Sequence, residues 1–103
     1  MTDCPQCTRS PIGICHKCAM LYTGGHTHAV VMEYILGILT PEGHCLRSHR
    51  AIADTVGCDR DIVLRLLYKL CKAGICKKVK YAIYRFDRLA IRSAIIAKKR
   101  LQC

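Results

Sequence analysis

Residues 46–75, LRSHRAIADTVGCDRDIVLRLLYKLCKAGI, decide the fold. Ser48 is a residue type that accepts a backbone N–H at a helix start, and the segment from it to Val56 carries Ile52, Ala53 and Val56 on one side. Gly57 then interrupts the pattern and permits a sharp turn that other residues adopt only with strain. Asp59 is the next capping residue. After it, Ile62, Val63, Leu66, Leu67 and Leu70 recur at spacings of three and four, the period of a helix with one buried face. Gly74 stops that helix. The stretch predicts two short helices joined by a tight glycine turn, the second turning Arg60, Asp61, Leu64, Arg65, Tyr68, Lys69 and Lys72 outward.

Upstream, Ala29, Val30, Met32, Ile35, Leu36 and Leu39 give another apolar helical face, ended by Thr40-Pro41-Glu42-Gly43. No strand is legible between this helix and Ser48. Downstream, ICKKVKYAIYRF (residues 75–86) has the β-branched and aromatic content of a short hairpin, with Lys77, Lys78 and Lys80 near its tip. A last amphipathic helix is expected from an Asp87 cap through Leu89, Ile91, Ile95 and Ile96 into Lys98-Lys99-Arg100.

Two helices around a tight turn form the helix-turn-helix arrangement. With a helix before and a basic hairpin after, residues 28–86 resemble the winged helix-turn-helix family. The most specific piece is residues 50–75, where Ala53, Gly57 and Gly74-Ile75 stand where the family expects them. The resemblance implies a mainly α fold with a small β-hairpin wing, and double-stranded DNA as partner. It places the helix after Gly57 in the major groove, where the guanidinium groups of Arg60 and Arg65 suit base edges. Ser48, His49, Arg50, Lys69 and Lys72 would then meet phosphates, and Lys77, Lys78 and Lys80 the adjacent groove or backbone.

Charge favours a polyanionic partner on independent grounds. The 103 residues carry 17 Lys and Arg against 7 Asp and Glu, a net +10. Residues 1–28 contribute only Asp3, Arg9 and Lys17, whereas residues 44–100 hold 15 basic and 4 acidic residues. Such an excess suits nucleic acid or an anionic membrane surface. The length allows one domain, or a small domain with an appendage, and argues against a multidomain enzyme. No apolar run approaches the about 18 residues of a spanning helix, and the N-terminus lacks the pattern of a secretory signal. The expectation is a reduced, cytoplasmic, nucleoid-associated protein of a bacterial cell or phage-infected host. The expected protein partners are a second copy, through the first and last helices with the stripe Leu89, Ile91, Ile95 and Ile96 as surface, and a partner contacted through the cysteine-bearing N-terminal appendage.

The N-terminus, MTDCPQCTRSPIGICHKC, places Cys4, Cys7, Cys15 and Cys18 in a C-x2-C-x7-C-x2-C pattern. Two residues between cysteines let a turn aim both sulfurs at one ion, and two such turns complete a tetrahedral shell that suits Zn2+, with iron the weaker competitor. Pro11 and Gly13 supply the bend between the pairs. These residues resemble the knuckles of small zinc-ribbon modules, although the seven-residue connector is short. The resulting division is a zinc knuckle over residues 1–27 and a winged helix-turn-helix domain with a C-terminal helix over residues 28–103.

His16, His26 and His28 are set aside as ligands because four sulfurs already fill the shell. Covalent haem requires C-x-x-C-H, but Thr8 and Ala19 follow the pairs. A catalytic metal would need an open position and a nearby carboxylate, and Asp3 is the lone acid before Glu33, so the metal reads as structural and the chain as a non-enzyme. Cys45, Cys58, Cys71 and Cys76 read as small apolar residues, with Cys71 and Cys76 close enough in the predicted fold to meet. The reading is a DNA-binding transcription regulator. Its alternatives are a small viral factor docking on RNA polymerase or another host protein through Leu64 and Tyr68, and a thiol or iron–sulfur redox sensor.

Overall fold

The structure is a computed structural model that describes residues 5–9, 12, 14–81 and 83–102, with only the backbone described at Thr8 and residues 99–102. It is mainly helical with one small antiparallel sheet, the architecture expected.

The deciding stretch folds as predicted. Ser48 Oγ accepts the Ala51 N–H at 3.1 Å and starts α4 (His49–Val56). Gly57 takes φ +83° and closes the helix by donating to Ala53 O. α5 (Arg60–Lys72) then buries Val63, Leu66, Leu67 and Leu70, with Ile62 half-buried at the edge. Asp59 occupies the cap position without the side-chain bond expected of it; its backbone carbonyl instead accepts from Ile62 N at 3.1 Å. Ser48→Ala should therefore cost about 1 kcal/mol in a urea melt, whereas Asp59→Ala should cost less.

The first body helix, α3 (His26–Gly37), buries Ala29, Val31, Met32, Ile35 and Leu36. The expected face is shifted: Val30 and Leu39 are half-buried, while Val31 is fully enclosed. The cause is that α3 packs on two sides, against α4 and α5 and also against α2 (His16–Thr23). A helix covered from several directions needs apolar residues nearly all round.

Between α3 and α4 lies a strand the sequence did not reveal, β1 (His44–Cys45). The hairpin strands are β2 (Cys76–Lys80) and β3 (Ile83–Phe86), and the sheet order is β1-β3-β2. Two residues are too few to show alternation. The signal was Gly43. It has φ +89°, and a Cβ there would lie 2.8 Å from Phe86 O. Glycine lets the chain approach β3 closely enough for Phe86 N to donate to Gly43 O at 2.8 Å. Gly43→Ala should lower stability by about 1 to 2 kcal/mol from backbone strain alone, with the lost β1–β3 pairing visible as faster amide exchange at Phe86.

At the C-terminus α6 (Arg88–Gln102) begins as expected, with Asp87 Oδ1 accepting from Leu89 N at 3.0 Å and Ala90 N at 3.2 Å. Its apolar stripe does not form an open dimer surface. Ile91 and Ile95 are buried within the chain, where α6 covers α2, and Ile96 is half-buried. Leu89 alone of the four stands out, 74% exposed.

The cysteine-bearing segment is more regular than two knuckle turns. It forms α1 (Pro5–Arg9) and α2, and α2 ends at Gly24 in the left-handed conformation. Ile14, Cys18 and Ala19 are buried and belong to the same apolar cluster as Met32 and Leu66. The N-terminal segment and the body share one core. No helix among the described residues is long and apolar enough to cross a membrane.

Candidate metal centre and basic face

Cys7 lies on α1, Cys15 is the N-cap of α2, and Cys18 lies in the first turn of α2. Their three Sγ atoms all lie within 4.8 Å of one another, with Cys7 and Cys15 at 3.6 Å. Four sulfurs each about 2.3 Å from one tetrahedral ion would stand about 3.8 Å apart, so the spacing fits a shared metal. Backbone donors face the sulfurs as well: Cys15 N points to Cys7 Sγ at 3.3 Å and Cys18 N to Cys15 Sγ at 3.5 Å. The helix start places Cys15 and Cys18 one turn apart on one side, which is what lets both reach one point. The fourth predicted ligand, Cys4, lies outside the described residues.

His16 is turned away from the sulfurs. Its Nδ1 pairs with Glu33 Oε2 of α3, and its ring stands edge-on to His26 with centroids 5.1 Å apart. Glu33 was not recognised in the sequence as a functional group. Its place on α3 ties the cysteine-bearing helix to the body by a polar contact beside the shared core.

On the body, Ser48, Arg50, Arg60, Arg65, Lys69, Lys72, Lys77, Lys78 and Lys80 are all exposed. His49 is not; it is half-buried, with its Nε2 3.1 Å from the Tyr84 hydroxyl and the rings 5.6 Å apart. Burial holds His49 below the ordinary histidine value of 6.5, and the positive charges of Lys78 and Arg60 push it further down. His49 of α4 thus feels the charges of Arg60 at the start of α5 and of Lys78 in β2. Tyr84, of β3, was missed in the sequence because it reads as an ordinary strand aromatic.

The lowered His49 value sets a pH dependence. In the unfolded chain His49 takes up its proton near 6.5, and in the fold it does so only at lower pH. Between those two points the unfolded state binds more protons, so stability falls as pH falls through that window and levels off below it. His49→Gln is expected to remove this slope from melting temperatures measured between pH 7.5 and 5.

Strand geometry separates two of the predicted wing contacts. Lys77 and Lys78 are consecutive in β2, so their side chains leave on opposite faces of the sheet. Lys78 shares its face with Tyr84, its cross-strand partner, and acts on His49. Lys77 stands opposite Arg85, which is also opposite His44 of β1, and both Lys77 and Arg85 line a groove that includes Cys71 and Gly74. Lys80 follows an irregularity in the β2–β3 pairing and lies near the turn.

Two other predicted outward residues of α5 differ. Leu64 is half-buried, while Tyr68 is 64% exposed with Lys72 Nζ 5.1 Å from its ring centroid. At the hairpin turn, Tyr81 is 89% exposed beside Lys78, whose Nζ lies 5.5 Å from the ring centroid. The chain matches no protein-family model, no curated protein and no solved structure.

Proposed function

We propose that this protein is a sequence-specific, double-stranded-DNA-binding transcription regulator of winged helix-turn-helix type that carries a structural Zn2+. The observation that carries the reading is the set of exposed basic side chains that α5 and β2 present, Arg60, Arg65, Lys69 and Lys72 with Lys78 and Lys80. Like charges held together in a fold repel one another, and a phosphate backbone relieves that cost by displacing counterions. In this reading Arg60 and Arg65 face bases, Ser48, Arg50, Lys69 and Lys72 hold phosphates, and Lys78 with Lys80 follows the adjacent backbone. The zinc would be held by Cys7, Cys15 and Cys18 with Cys4 as fourth ligand, and would fix α1 against α2 without entering any reaction. Sequencing of genomic fragments retained by the purified protein at physiological salt tests the reading. A shared motif among the fragments is expected; retention without sequence preference would remove the specific regulator.

A second reading is favoured by Tyr68. A large aromatic side chain this exposed on the same helix suits a protein interface, and the chain would then dock on RNA polymerase or another host protein. Tyr68→Ala separates the two: it should abolish docking on a protein partner, but leave the salt dependence of DNA binding intact.

A further inference from the structure

Cys71 and Cys76 take no part in the metal centre or the basic face. Cys71 lies in the last turn of α5 and Cys76 is the first residue of β2. Gly74, at φ +79°, folds the chain back between them: Gly74 N donates to Cys71 O at 3.1 Å and Ile75 N to Leu70 O at 3.0 Å. That closure seats the start of β2 against the end of α5 and leaves the two Sγ atoms 3.3 Å apart. The pair is reachable, because both residues line the open groove that also includes Gly74, Lys77 and Arg85.

We propose that Cys71 and Cys76 form a peroxide-reactive dithiol that closes to an intramolecular disulfide at the joint between α5 and the β2–β3 hairpin. The half-buried Cys71 is the attacking group; Cys76 is buried, donates toward Leu67 O at 3.8 Å and serves as the resolving thiol. Burial and the adjacent Cys71 push the Cys76 thiol well up, which makes it the protonated partner of the pair. In the first step the Cys71 thiolate attacks one oxygen of hydrogen peroxide and breaks the O–O bond, leaving a sulfenic acid on Cys71 and a hydroxide that takes up the proton Cys71 had released to become water. In the second, the Cys76 sulfur attacks the Cys71 sulfur, its proton leaves with the departing hydroxide as a second water, and the S–S bond forms. Two thiols have lost two electrons to one peroxide. A bond of about 2.05 Å asks the two sulfurs to approach by only about an ångström.

The sequence provides its own assay. Lys69, Lys72 and Lys77 put the two cysteines on separate tryptic peptides, residues 70–72 and 73–77. Zinc-loaded full-length protein is treated with hydrogen peroxide, its remaining thiols are alkylated, and the digest is mapped by mass spectrometry without reduction. The expected result is that peptides 70–72 and 73–77 appear joined, and separate again when dithiothreitol is added. Cys76→Ser should leave a sulfenic acid on Cys71 that dimedone traps, whereas Cys71→Ser should leave Cys76 alkylatable. Recovery of both peptides alkylated and unjoined from wild-type protein overturns the proposal. So does a disulfide that joins either one to another cysteine of the chain. Neither readout involves DNA, so the proposal stands or falls apart from the proposed function.

Discussion

Cys15→Ser is expected to abolish stoichiometric zinc binding and to lower the stability of the whole domain by several kcal/mol. Serine is among the best N-cap residues, and it can take over the bond that Cys15 Sγ accepts from Cys18 N. The substitution therefore removes a metal ligand while keeping the start of α2, and what is lost reports on the metal. α1 has five residues and cannot persist as an isolated helix. Its amides should lose exchange protection first. The start of α2 is held better, since Ile14, just before its Cys15 cap, is buried, and burying an isoleucine contributes about 1.5 to 3 kcal/mol.

The effect nevertheless reaches the body, because Ile14, Cys18 and Ala19 close the same core that α3 and α6 complete. Structural zinc in small domains is worth about 10 to 16 kcal/mol of apparent binding energy, and total domain stability is only about 5 to 15 kcal/mol. Partial release of α2 is thus a large fraction of what keeps the chain folded. Elemental analysis should give one zinc per chain for the native protein. A metal-free native protein, or a Cys15→Ser protein that melts at the native temperature, would dispose of a stabilising zinc.

The difference between this expectation and one drawn from the sequence alone lies in a few residues. Composition makes residues 1–27 look self-contained: cysteines at metal-ligand spacing, few aliphatic residues, little charge. Nothing in that pattern says that Ile14 and Ala19 join the core of the body, because one isoleucine and one alanine have no periodicity. The body was legible for the opposite reason. Val63, Leu66, Leu67 and Leu70 repeat over enough turns to define a face, and Ser48, Gly57 and Gly74 punctuate it with local chemistry that tertiary packing did not override. Asp59 shows the limit of such punctuation, since its position was legible and its hydrogen bond was not.

Long-range pairing accounts for the rest. β1 exists because Gly43 can touch Phe86, more than forty residues away, and a two-residue strand has no pattern of its own. The fate of Ile91 and Ile95 was settled in the same way: an apolar stripe is visible in one helix, but whether it meets α2 of its own chain or a second copy is decided by where α2 sits. At the candidate metal centre the ligand types were legible from spacing, while Glu33 became visible only when α3 came alongside His16.

Replacing both Arg60 and Arg65 by alanine is expected to cost about 2 to 6 kcal/mol on a preferred DNA site, since each bidentate base contact is worth about 1 to 3 kcal/mol and separated contacts add. Binding to mixed-sequence duplex should fall much less. Lys78→Ala should act differently. As a point charge on a phosphate it should weaken every duplex alike and reduce the slope of log affinity against log salt by about one. The sheet supplies the control. Lys77 carries the same charge one residue away but leaves on the opposite face, opposite Arg85, so Lys77→Ala should change the slope less than Lys78→Ala does. Nonspecific attraction to a highly basic surface predicts equal effects for the two lysines, because at long range it senses net charge and not direction. Fluorescence anisotropy titrations at four salt concentrations distinguish these outcomes. If Lys77→Ala and Lys78→Ala weaken binding equally, and the two arginines do not affect preference among sequences, α5 and the hairpin do not read DNA, and exposed Tyr68 makes docking on a protein the better account of the same helix.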